Sequence, residues 1–221
     1  MNILAPGAFT GQSSTGVDTQ SVPPSVIKIV EGALSALVRT GARRLSMSDI
    51  SDASGVSRGT VYKYFSTKQD VLAAVSEFVS VNFENGVRNA AAPHDGPIER
   101  LRAVMRFLAR FTYEKTPDRL FELEPAFHLD FFRSHFHRHV GAVRESLAPT
   151  FAWLEQRTGG AIDSHSVAQA LVRMQLSALI VPADRQWVEV WEHAPDHLER
   201  LLLTLAGTAP GLTPSSATKE T

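Results

Sequence analysis

The chain has 221 residues, a formal net charge of −1, 43% hydrophobic residues and no cysteine. That length holds one large or two small domains with a real core, which excludes global disorder, and the lack of cysteine excludes a disulfide framework and thiol chemistry. A net charge near zero argues against a nucleic-acid binder, but the distribution argues for one: from Arg39 to Lys68 six cations stand against two anions, leaving +4 on one short segment and a net acidic remainder.

Residues 1–22 are rich in Gly, Ser and Thr, show no sustained period and carry no Lys or Arg. They read as a disordered arm, solvated rather than bound to an anion. The opening MNILAPGAFTGQ lacks a basic segment followed by an apolar one, so no signal peptide is expected. No apolar run approaches the ~18 residues of a membrane span. A cytoplasmic protein with no membrane partner is the expectation.

Pro23 and Pro24 open a first helix, where proline is tolerated. Val26, Ile29, Val30, Ala33, Leu34, Leu37 and Val38 recur at helical spacing, and Gly41 ends the run. Arg43 and Arg44 fall in the expected connecting loop, as phosphate contacts or as solvated surface.

The stretch Ser46–Lys68, SMSDISDASGVSRGTVYKYFSTK, reads as two short helices joined by a tight turn and followed by the start of another. Ser46 is placed to cap the first, with Asp49 in the N3 position of a capping box. Met47, Ile50 and Ala53 make its apolar face. Gly55 supplies the left-handed turn, Val56 plugs the angle, and Ser57 caps the second helix. Val61 and Phe65 form that helix's inner seam, which leaves Arg58, Thr60, Tyr62, Lys63 and Tyr64 outward. Two cations, a hydroxyl and two phenols on one exposed helix suit phosphate oxygens and base edges.

The string from Asp49 to Lys68, D-I-x-x-x-x-G-V-S-x-G-T-V-Y-x-Y-F-x-x-K, resembles the amino-terminal domain of the tetracycline-repressor (TetR) family, clearly over Val26 to Val75 and weakly beyond. Ser51 stands where that family usually has Ala. The resemblance implies an all-α fold: a three-helix DNA-binding head over 23–70 containing a helix-turn-helix, then a larger helical effector-binding and dimerisation body over 71–207, and a disordered tail over 208–221. It implies double-stranded operator DNA as partner. Arg58, Lys63 and Tyr64 become candidates for base or near-base contact. Ser57, Thr60, Tyr62 and Lys68 become candidates for phosphate contact, with Ser48 a further one, and Gly59 lets the backbone approach DNA closely.

A fourth helix begins near Ser66 or Thr67 and links head to body. Lys68 in its first turn opposes the helix dipole unless a phosphate is near. Ala90–Pro97 reads as a loop, and Pro97 opens a fifth helix through Leu101, Val104, Met105, Leu108 and Phe111. Pro117 breaks it. A further helix starts at Leu120–Leu123 and is interrupted at Pro125. Ala126–Trp153 reads as one long helix apart from Pro149, ended by Thr158-Gly159-Gly160. Asp163 or Ser164 caps the next, in which Val167, Ala170, Leu171, Met174, Leu176, Ala178, Leu179 and Ile180 recur. Pro195 opens the last helix, His197–Leu205. The last two helices are apolar enough to pair with a second copy as a homodimer, and two-fold symmetry matches a palindromic site.

Of the body's aromatic and soft side chains, Phe107, Phe111, Phe127, Phe131, Trp153 and Met174 are the candidates to line a pocket for a small hydrophobic or amphipathic effector. Phe132, Phe136, Trp187 and Trp191 share that potential. His128, His135 and His139 fall within about 20° of one line on a helix, with Glu124 one turn earlier. The row is a surface cluster or, with His135 and His139 at i, i+4, a metal site. No HExxH, nucleophile triad or phosphate loop is present, so no catalytic residue and no cofactor is assigned. The functional expectation is a repressor released from its operator by effector. The alternatives are an activator of the same fold and a metal-dependent helical enzyme with a DNA anchor.

Overall fold

The computed structural model describes residues 22–115 and 125–177, together with 186, 189–191 and 193–196. Every regular element among them is a helix. The expected last helix at 197–205, the start at Leu120–Leu123, Trp187, the arm and the tail lie outside the described residues.

Helix α1 (Pro24–Arg44) starts on its two prolines and buries Ile29, Val30, Ala33, Ala36 and Leu37. Gly41 breaks it as expected, at φ 76° and ψ 157°. A last turn resumes behind it, closed by the Leu45 N–H on the Gly41 carbonyl at 3.1 Å. Arg43 and Arg44 therefore sit in that turn and not in a loop. Helix α2 (Met47–Ser54) runs so close to α1 that a Cβ on Gly32 would lie 2.5 Å from Ser54 Cα. Helix α3 spans Arg58–Tyr64.

Helix α4 (Lys68–Ala91) belongs to two cores. Val71, Val75 and Phe78 pack with Ile29, Leu37, Leu45, Ile50 and Val61 in the head. Phe83, Val87 and Ala91 pack in the body with Leu101, Val104 and Leu108 of α5 (Pro97–Lys115) and Val140 and Val143 of α6 (Pro125–Ser146). The head's core thus reaches to Phe78, into the helix that leads to the body.

The expected long helix after Pro125 is two helices. Leu147, at φ −96° and ψ 5°, separates α6 from α7 (Ala148–Thr158), and Pro149 sits in the first turn of α7. Proline has no N–H to bond the preceding turn, so the helix restarts just before it. Gly159, at φ 69°, caps α7 as expected. Helix α8 (Ser164–Ser177) is capped by Asp163, whose carboxylate accepts from the Ser166 N–H at 3.0 Å. Its inward face is Ala168, Val172 and Gln175.

Candidate nucleic-acid interface and effector region

The helix-turn-helix is held by side-chain caps at each entry. Ser46 Oγ accepts from the Asp49 N–H at 3.2 Å, and Asp49 Oδ2 accepts from the Ser46 N–H at 2.9 Å and from its hydroxyl at 2.6 Å. Those bonds to Ser46 hold the Asp49 carboxyl below its ordinary value. Gly55 closes α2 at φ 65°. Ser51 does more than occupy an alanine's space: its hydroxyl donates to the Val56 carbonyl at 2.7 Å and ties the turn.

Ser57 then caps α3, accepting from the Thr60 N–H at 3.2 Å, with the two hydroxyls 2.9 Å apart. Val61 is buried and Phe65 packs on the head's core. With that seam fixed, Arg58, Gly59, Tyr62, Lys63 and Tyr64 are exposed on the other side. Arg58 has no hydrogen bond or ion pair among the described residues, and Lys63 Nζ stands 5.6 Å over the Tyr64 ring. Ser48 and Thr60 are half-buried. Nothing in the chain lies within 4 Å of a Cβ built on Gly59, so intramolecular packing does not demand glycine there.

Lys68 is placed differently from its neighbours. Its Nζ donates to the Ala42 carbonyl at 3.0 Å and the Arg43 carbonyl at 3.1 Å, at the end of α1. A cation on terminal carbonyls meets the negative end of that helix's dipole. The N-terminus of α4 receives its anion from Asp70, in a second capping box with Thr67. The unfavourable position of Lys68 along α4 is therefore compensated inside the protein.

Residues 29–75 match the sequence profile of the bacterial regulatory proteins of the tetR family. The amino-terminal domain is a TetR-family one. The TetR-type architecture extends over most of the chain. A protein of Mesorhizobium loti described as a TetR-family transcriptional regulator superposes with a TM-score of 0.61 at 18% identity, covering 82% of this chain and 96% of the other. The fatty acid degradation regulator FadR from Bacillus halodurans gives 0.56 at 16% identity, covering 86% and 98%. AibR in complex with isovaleryl coenzyme A and operator DNA gives 0.54 at 20% identity, covering 80% and 97%. At these identities the likeness establishes the helical TetR fold.

In this TetR-type body the six expected pocket residues lie in different surroundings among the described residues. Phe107 and Phe111 pack with Phe83 at ring distances of 5.8 and 5.2 Å, and border an open groove with Asn89, Pro93, His94, Arg106 and Arg110. Phe131 stacks near His135 and His139. Phe127 packs on the core of the head instead. Trp153 stands under the Arg157 guanidinium at 5.6 Å, and Met174 is 45% exposed. Both are turned away because the inner faces of α7 and α8 are formed by Phe151 and Leu154, and by Ala168 and Val172.

The histidine row is not a surface cluster. His139 is buried, with Nε2 3.0 Å from Ser80 Oγ on α4, and Ser80 donates to Glu84 Oε1 at 3.1 Å. Burial first, then the neighbouring His135 and Arg138, push the His139 imidazole down to about 3. The carboxylate bonds the serine and not the histidine, so these three do not form a nucleophile triad. Arg138 reaches Glu77 Oε2 at 2.7 Å and Glu84 Oε1 at 2.8 Å. Among the described residues no three His, Asp or Glu groups converge as a metal site. Sequence reasoning singled out neither Ser80 nor Glu84. The available signal was Glu77, Ser80 and Glu84 at i, i+3, i+7 in an otherwise apolar helix.

Proposed function

We propose that this TetR-type protein is a transcriptional repressor that reads a palindromic operator as a homodimer and is released by a small hydrophobic or amphipathic effector. The observation that carries the reading is the exposed polar face of α3, with Arg58, Tyr62, Lys63 and Tyr64 outward while Val61 is locked in the core. A short helix so presented, at the end of a capped turn, suits insertion into the major groove. Arg58, Lys63 and Tyr64 are assigned to base edges, and Ser48, Ser57, Thr60 and Tyr62 to phosphates, with Gly59 at the point of closest approach.

Pairing with a second copy is supported by side chains that a monomer leaves in water: Val167 at 40%, Met174 at 45% and Val190 at 56% exposure. An apolar stripe beside the body's core fits a helix-on-helix interface. Effector release is supported by α4, which contributes to both cores, so that a shift in the body changes the position of the head. The AibR complex holds isovaleryl coenzyme A and operator DNA on a similar fold, and FadR is named for fatty acid degradation, so acyl thioesters are the first effectors to test.

Selecting duplexes from a random library with the purified protein tests the reading. Inverted repeats should be enriched, and isovaleryl or longer acyl coenzyme A should reduce binding to them. Enrichment of no motif would overturn the proposal. A recovered repeat that no acyl thioester releases would leave the DNA reading standing and remove this effector class.

A further inference from the structure

Because α4 contributes to both cores, its position along the body decides where the head stands. The apolar part of its seat on α6, Phe83 and Val87 against Val140 and Val143, is non-directional in itself, while on α5 the Phe107 ring fills the space that a Cβ on Gly86 would need. The directional contacts lie on one stripe of α4. Glu77 and Glu84 stand two turns apart, about 10 Å along the axis, and the Arg138 guanidinium on α6 bonds both, Nη1 to Glu77 and Nη2 to Glu84. Between them Ser80 meets His139 at 3.0 Å.

Ser80 is fully buried, and His139 and Glu84 are 5% and 9% exposed, so a slipped helix would leave polar groups without partners and out of water. The remaining groups around the stripe agree with this arrangement. Arg88 lies 3.6 Å from Glu84, the His135 ring stacks on His139 at 6.2 Å, and Phe83 covers the other side of His139 at 4.2 Å. The Glu77 pairing is solvent-exposed and the weaker leg; the Glu84 side chain is 12% exposed and its pairing the stronger.

We propose that Arg138 is a positioning residue for DNA recognition: by bridging Glu77 and Glu84 it sets the axial register of α4 on α6, and so the separation of the two reading heads. The inference rests on the reading of the protein as a dimer on two half-sites. It assigns a role in half-site spacing to a side chain in the body that does not meet DNA.

The test uses the purified full chain, the duplex selected by the wild type, and copies with the half-sites moved one or two base pairs closer or apart. A single half-site serves as control. Wild type should prefer its own spacing by about tenfold or more. Arg138→Met should lose most of that preference while binding the single half-site within about twofold of wild type. Arg138→Lys, a point charge that cannot span both carboxylates, should fall between. Glu77→Gln removes the charge of the exposed leg alone, leaving a neutral acceptor, and decides the matter if Arg138→Met does not fold; it should broaden spacing tolerance in the same direction, by less.

Unchanged spacing preference in folded Arg138→Met, or in Glu77→Gln where the first does not fold, overturns the inference. So does an equal loss on half-site and full site, which marks a merely structural role. A wild type that binds no duplex, or binds with no spacing preference, instead sinks the dimeric DNA reading, and the inference with it.

Discussion

His139 Nε2 lies 3.0 Å from Ser80 Oγ, joining α6 to α4 inside the body. Ser80 has one proton and gives it to Glu84, so the imidazole donates to the serine oxygen and keeps Nε2 protonated in a neutral ring. The structure depends on that neutral form, because the ring is enclosed by Phe83 and Phe131 with Arg138 and His135 nearby.

A pH dependence follows. The folded-state value, about 3, is below the ordinary 6.5, so the unfolded chain takes up the proton first. Stability is then lost as pH falls from near 6.5 towards 3, by at most about 1.4 kcal/mol per pH unit from this group. His139→Gln keeps a donor for Ser80 and does not titrate. Chemical denaturation across that range should give a flatter acid limb for the variant; parallel curves would contradict the assignment.

Gly32→Ala should destabilise the head by about 1–3 kcal/mol, because its Cβ would meet the Ser54 backbone and push α1 off α2. Thermal unfolding measures it. A variant as stable as wild type would mean that the two helices separate without cost.

Gly59→Ala separates packing from DNA contact. The chain leaves open space at that Cβ, and alanine is the better helix former, so the fold should keep or gain about 0.5 kcal/mol. Affinity for the selected duplex should nevertheless fall. Unimpaired binding would remove Gly59 from the interface.

Lys68→Met should lower the melting temperature by removing the cap on Ala42 and Arg43. The dependence of DNA affinity on salt should keep its slope, since an ammonium held on carbonyls releases no counterion from the duplex. A slope shallower by about one unit would restore the phosphate contact that the sequence motif implies.

The head was legible from the sequence because its determinants are local. Ser46 with Asp49, Gly55, Ser57 and Thr67 each act within a turn of themselves, and each is found in its expected place. The partners of Lys68 and Arg138 were not legible, since they lie 25 to 61 residues away. In α8, apolar residues occupy two faces. Periodicity does not say that Ala168 and Val172 face the protein's own core while Val167 and Met174 face outward. The packing of Phe127 on the head's core was not legible for a related reason: α6 begins against the head, and no spacing within the helix reports that. The histidine row is likewise a pattern on one helix whose meaning came from Ser80 on another.

The most direct test of the account is the affinity of wild type and Arg58→Ala for the selected duplex and for a scrambled one, at low salt. The account predicts that wild type binds both and prefers the first. Arg58→Ala should cost about 1–3 kcal/mol on the selected duplex and far less on the scrambled one, because a base contact is lost. Equal losses on the two duplexes, or no binding by wild type to either, would contradict it.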